Sequence, residues 1–183
     1  MSDPVSALGH AHFDGFAAVR EIGPLGMILL RAKPEVKGLV KAIKAAVGLA
    51  VPSQRQIVVG VDNAVAWMSP DEYLLVMPYA DTEAAMVAIA KAMGADHHLA
   101  AVVSDARAVF DVTGAKADQV LRKLCPVDFD ALAPGELRRT RAAQVAAAFW
   151  AIDDGFRVVC FRSVAGYMMG LLTHSAQPGS ELR

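Results

Sequence analysis

A chain of 183 residues is long enough for one well-buried core or two small lobes sharing an interface. With 55% hydrophobic and 20% charged residues it is more apolar than the soluble average, an excess that a partner surface can cover. A formal net charge of -1 gives no electrostatic drive towards DNA or an acidic membrane, and two cysteines inside apolar runs make neither a disulfide framework nor a zinc knuckle.

Residues 1–14 mix His10 and His12 with glycine and proline without a period and read as a loose or partner-bound arm. Their start, Met1-Ser2-Asp3-Pro4, has neither the basic flank nor the apolar core of a secretory signal. The apolar runs 24–30 and 164–172 fall short of the roughly 20 residues that cross a bilayer. A soluble, cytoplasmic protein is expected.

Residues 25–31 suit a buried strand. Pro34 is placed to open a helix with Val36, Leu39, Val40, Ile43 and Val47 on one face and Gly48 at its exit. Strands are expected over 56–61, 64–68 and 73–77, the last two joined by the turn Ser69-Pro70-Asp71-Glu72. Thr82 is the expected cap of a helix that buries Met86, Ile89 and Met93 and leaves at Gly94.

In the second half a strand over about 107–112 leads to a helix carrying Ala117, Val120, Leu121 and Leu124, which Cys125-Pro126 ends. A polar connection through Pro134 and Gly135 follows. Strands 142–152 and 156–162 then flank Asp153-Asp154-Gly155 as a hairpin. Ser163 is expected to cap a last helix bearing Val164, Tyr167, Met168, Leu171 and Leu172.

Trp67 precedes Tyr73 by six residues and Trp150 precedes Phe156 by six, each pair spanning a hairpin turn before a helix. With the strand and helix that open each half, this predicts an α+β fold of duplicated β-α-β-β-α (ferredoxin-like) units. The halves run over about 15–97 and 98–175 of a single domain covering 1–183, with a tail at 176–183.

Few residues recommend themselves for chemistry. Trp67 and Trp150 lie where a pterin or flavin ring could stack, but aromatics at strand ends usually pack. Asp71 and Glu72 are adjacent and point apart, against a cooperating acid and base. Asp62 reads as a solvated turn residue. The stretch 111–114, from Asp111 to Gly114, precedes a helix and could hold an anion, but lacks the glycines of a dinucleotide loop and the Lys-Ser/Thr of a phosphate loop.

Arg138, Arg139 and Arg141 are the one basic cluster, read as a solvated face or a salt bridge to another subunit before a site for a folate tail. His10, His12, His97, His98 and His174 offer no i, i+4 ligand pair, and no Ser-His-Asp or Cys-His set assembles. No catalytic, cofactor-binding or metal residue is assigned.

The string Trp67-Met68-Ser69-Pro70-Asp71-Glu72-Tyr73-Leu74-Leu75 resembles the tryptophan, turn and Pro-Asp-Glu-aromatic-leucine segment of sarcosine oxidase gamma subunits, the family found in the heterotetrameric enzyme. Phe110-Asp111-Val112-Thr113-Gly114, then Ala117, Val120, Leu121 and Cys125-Pro126-Val127-Asp128-Phe129, is similar to the family's strand, glycine and helix ending at Cys-Pro and Asp. Thr140-Arg141 before Trp150 looks like its penultimate strand. The resemblance runs in order from about residue 25 to 173.

It implies the fold of the folate-binding domain of glycine-cleavage aminomethyltransferases. It also implies a place beside alpha, beta and delta subunits in an oxidoreductase that demethylates sarcosine to glycine and passes the one-carbon unit to tetrahydrofolate. FAD, FMN, NAD and tetrahydrofolate are then expected in other subunits, and none on this chain. Trp67, Pro70, Asp71, Glu72, Asp111, Gly114, Arg141 and Trp150 are the family-motif or interface positions. The rival expectations are a free-standing folate-binding aminomethyltransferase-like protein and an amino-acid-sensing α+β module.

Overall fold

The apolar runs fold as strands and the helically periodic segments as helices in a computed structural model, which describes residues 4–182. In chain order these are β1 (His12–Asp14), β2 (Ala18–Glu21), β3 (Gly26–Arg31), α1 (Gly38–Val47), β4 (Ile57–Val59), β5 (Ala64–Ser69), β6 (Glu72–Met77) and α2 (Thr82–Met93). There follow β7 (Leu99–Val102), β8 (Arg107–Thr113), α3 (Ala117–Arg122), β9 (Leu137–Ala142), β10 (Val145–Ile152), β11 (Gly155–Phe161) and α4 (Ala165–Ser175). Among the described residues no helix is long and apolar enough to cross a membrane.

The strands make two antiparallel sheets, which belong to two compact units. In the unit formed by residues 25–104 the strand order is β4-β5-β6-β3-β7. Ile28, Leu30, Val65, Tyr73, Leu75 and Met77 face α1 and α2, which bury Leu39, Ile43, Ala85, Ile89 and Met93 against them. Met27, Ala66, Leu74 and Val76 are also buried although they alternate with that set. Burial on both faces is why these strands read as continuous apolar runs.

The second unit joins the described residues before Leu25 to those after Ser104, with the order β1-β2-β8-β11-β10-β9. Phe110, Val112, Phe149, Val158 and Cys160 face Val120 and Leu121 of α3 and Met168 and Leu172 of α4. Phe129 stacks on Phe149 at 5.2 Å between ring centroids, and Phe156 meets both edge-on.

Five strands follow the same order in the two units, β7-β3-β6-β5-β4 and β2-β8-β11-β10-β9, and β1 extends the second sheet beyond β2. The strand before the first helix lies between a flanking strand and the strand that enters the last helix. The chain is thus a mixed α+β protein. The sheets divide it at 24/25 and 104/105, because β2 pairs with β8 and β7 with β3.

Several local expectations are corrected. Pro34 does not open α1: Val36 N–H donates to Lys33 O at 3.0 Å, so Pro34 sits in a turn, and Asp96 instead receives the Gly38 N–H at 2.8 Å. Neither Thr82 nor Ser163 caps a helix. The one-turn 3-10 helices Tyr79–Asp81 and Arg162–Val164 precede α2 and α4, and Thr82 Oγ1 donates back to Tyr79 O.

The polar connection and the start of the expected strand 142–152 are really β9 and a two-residue turn, with Ala143 at φ 50°. Residues 1–3 of the arm lie outside the described residues. The rest of it carries β1 and is fastened by buried Glu21, whose carboxylate accepts the N–H groups of Ala7 at 2.7 Å and His10 at 2.8 Å. The described part of the tail is held by Lys123, whose ammonium donates to Ser175 O at 2.7 Å and to Ser180.

Two glycines should respond oppositely to Ala. A Cβ on Gly155, at φ 150°, would stand 2.0 Å from Val112 O, whereas one on Gly170 in α4 meets nothing within 4 Å. Gly155→Ala should lose more than ~1 kcal/mol of stability and Gly170→Ala gain ~0.5–1 kcal/mol, read from urea midpoints. Similar midpoints for the two variants would contradict the turn geometry.

Burial pushes the thiol of Cys125 up to about 12 and that of Cys160 up to about 11. Both should therefore ignore an aromatic disulfide reagent at pH ~8 in the native state and react fully once guanidinium unfolds the chain.

Candidate functional site

The motif around Trp67 forms the tip of the β5–β6 hairpin. Trp67 pairs with Tyr73 and Ser69 with Glu72, so Met68 is an extra residue and makes a bulge. Pro70 is exposed at the tip and Trp67 is half-buried against the helix-side core.

Asp71 laces this tip to the end of β3. Its Oδ2 accepts from Arg31 Nη2 at 2.8 Å, its Oδ1 from Ser69 Oγ at 3.1 Å, and its backbone carbonyl from Ala32 N–H at 3.0 Å. Glu72 lies opposite Arg31 in the same ladder. The Arg31 hydrogen bond holds the Asp71 carboxyl below the ordinary aspartate range, and burial raises the Tyr73 phenol. Ser, Pro, Asp and Glu here join three strands rather than offer an acid and a base.

In the other unit, Asp111 is gripped bidentately by Arg157, with Nε to Oδ1 and Nη2 to Oδ2 both at 2.8 Å. Register places Arg20 on the other side of Asp111, and Trp150 on the other side of Arg157. Arg20, Asp111, Arg157 and Trp150 are therefore one row across four strands, on the face away from α3 and α4.

Gly114, at φ 113°, donates its N–H to Asp154 O at 2.9 Å and accepts from Ala117 N–H at 2.9 Å. The stretch 111–114 thus holds β8 to the β10–β11 turn, and its groups are committed to protein partners rather than to an anion.

Trp150 is 3% exposed, which leaves no ring face for a cofactor. Arg141 is exposed on the edge strand β9, on the same face as Trp150 but two cross-strand rows away. The equal spacing of the two tryptophans hides a difference. Trp67 and Tyr73 are direct partners because of the bulge, whereas Trp150 pairs with Arg157 and Phe156 with Ala151. Trp150 and Phe156 consequently face opposite sides of their sheet.

Sequence reasoning missed Arg31 and Arg157, the partners that define both acidic positions. Each lies 40 or more residues from its aspartate, so only strand register reveals it. Among the described residues no three His, Cys, Asp or Glu come together as metal ligands. An open hollow on the unit formed by residues 25–104 is lined by Val40, Lys44, Gly48, Leu49, Ala50 and Val51, with one charged group.

The Asp71 pair predicts a pH dependence. Its folded value lies below the unfolded one of about 3.9, so the stability it adds is present above that value and is lost as pH falls through the folded one. Arg31→Gln should raise the Asp71 titration midpoint seen by carboxyl NMR. Its stability deficit should be full at neutral pH and vanish in strong acid; a deficit that grows on acidification would contradict the pair.

A family model described as "Sarcosine oxidase, gamma subunit family" matches residues 32–177. The chain is 34% identical over 125 residues to sarcosine oxidase subunit gamma of Corynebacterium sp. (strain P-1), covering 67% of this chain and 60% of that protein. It is 31% identical over 148 residues to the subunit of the same name from Arthrobacter sp, covering 79% and 71%. The chain thus spans less than two thirds of the first relative's length.

Among solved structures, it is similar to a chain of the heterotetrameric sarcosine oxidase from Corynebacterium sp. U-96 in complex with pyrrole 2-carboxylate. That match has a TM-score of 0.79 at 26% identity and covers 90% of this chain and 87% of that one. Glycine cleavage system aminomethyltransferase T from Bartonella henselae shares the fold, with a TM-score of 0.65 at 14% identity over 86% of this chain and 45% of that one. Strand order, the motif-bearing hairpin and these matches agree: the chain belongs to the sarcosine oxidase gamma subunit family.

Proposed function

We propose that this chain is the gamma subunit of a cytoplasmic heterotetrameric sarcosine oxidase, a structural and accessory chain that docks on larger catalytic subunits. The observation that carries this reading is the likeness to a chain of the Corynebacterium sp. U-96 heterotetramer over 90% of the length. Its partners are the alpha, beta and delta subunits. The complex oxidatively demethylates sarcosine to glycine and transfers the one-carbon unit to tetrahydrofolate.

FAD, FMN, NAD and tetrahydrofolate belong, on this reading, to the other subunits. Three of the motif positions are engaged within the chain itself. Trp150 is buried, Asp111 is committed to Arg157, and Asp71 to Arg31 and Ser69. We further infer that the two units are copies of one β-α-β-β-α module within a single domain, which their common strand order supports.

The test is co-expression of the alpha, beta and delta subunits with and without this chain. Without it, the assembly should recover less bound flavin, unfold at lower temperature and turn over sarcosine more slowly. Equal activity and equal thermal stability without the chain would end the docking reading.

A further inference from the structure

The basic cluster on β9 is divided by the alternation of the strand. Arg138 points to the helix side, where its Nε stands 3.0 Å from Glu136 Oε1. Arg139 and Arg141 point to the opposite face, which they share with Val109, Ala148, Trp150 and Val159. Those four are buried. One row further along, the same face presents an exposed aromatic ring.

That row crosses four strands. Phe161 pairs with Arg107, Ala146 with Arg141, and the β10–β11 ladder brings Ala146 beside Phe161. Phe161 is 48% exposed, and Ala146 and Arg141 are exposed as well. The Arg107 guanidinium lies 4.1 Å from the Phe161 ring centroid, a cation–π contact that holds the ring in place. At roughly 4.8 Å per strand the row spans about 14 Å. An apolar centre of Phe161 and Ala146 thus lies between the guanidinium groups of Arg107 and Arg141.

We propose that Arg107, Phe161, Ala146 and Arg141 dock an acidic segment of another subunit of the heterotetramer. Its carboxylates lie against Arg141, and an apolar side chain covers Phe161 and Ala146. Guanidinium forks match carboxylates bidentately, and arginine beside an aromatic ring is the composition of interface hot spots. A polypeptide suits this row better than a nucleic acid or a lipid surface, because half of it is apolar and the whole chain carries a net charge of -1. The inference rests on the gamma-subunit reading.

The experiment titrates tagged chain into the co-expressed alpha, beta and delta subunits and measures affinity at about 50 and about 500 mM salt. Wild type should bind, and less tightly at the higher salt. Arg141→Glu should weaken binding at least about tenfold, Arg141→Gln less, and Phe161→Ser measurably. Lys91→Glu, on the exposed side of α2, is the charge-reversal control and should leave affinity unchanged.

Thermal unfolding of each variant alone checks that it folds, and Arg141→Gln keeps the test open should the reversal disturb β9. Wild-type affinity in Arg141→Glu and Phe161→Ser overturns the docking row, as does an equal loss in Lys91→Glu. Failure of the wild-type chain to bind at all fells the gamma-subunit reading itself, and this inference with it.

Discussion

In β8, Phe110 and Val112 face the helices while Val109 and Asp111 face the other way, and a slip of one residue would exchange the two sets. The Asp111–Arg157 pair acts on the same register. With side chains 17% and 28% exposed, it is desolvated enough that its net energy is small, and its geometry is satisfied in one alignment of β8 with β11 only. Arg31 and Asp71 do the equivalent at the β5–β6 tip, tying the bulged hairpin to the end of β3. The motif positions are in this sense joints between strands.

How much of this could be read from sequence depended on range. The β3 run, the β5–β6 and β10–β11 hairpins and the apolar face of α2 follow from periods and turn residues that act within a few positions, whereas Val40, read onto the apolar face of α1, and Tyr167, read with that of α4, are exposed. Strand β9 escaped because Leu137-Arg138-Arg139-Thr140-Arg141-Ala142 alternates with arginine on both faces, and its turn uses Ala143 instead of glycine or asparagine. Pro34 and Thr82 are good start signals that lost to other contacts, a turn in one case and a preceding 3-10 helix in the other. The candidate positions were legible as a motif but not as geometry. Nothing local tells that Arg157 lies between Asp111 and Trp150, or that six residues of spacing mean different pairings in the two hairpins.

The two units follow one strand order yet differ in detail. In the unit of residues 25–104 the flanking strand β7 comes last in the chain, whereas in the other unit β2 comes before β8. A bulge tunes one hairpin and a plain two-residue turn the other. The likeness to aminomethyltransferase T extends over the fold at 14% identity, so the shared architecture tolerates wholesale change in sequence.

Burial on both sheet faces also sets how such a chain can drift. In β6 nearly every side chain is enclosed, so a substitution there must satisfy packing from two directions at once. Outward positions such as Val40 on α1 and Val87 on α2 carry no such demand. Mutational tolerance is thereby partitioned, with conservative exchange along the strands and free replacement over helix backs and loops.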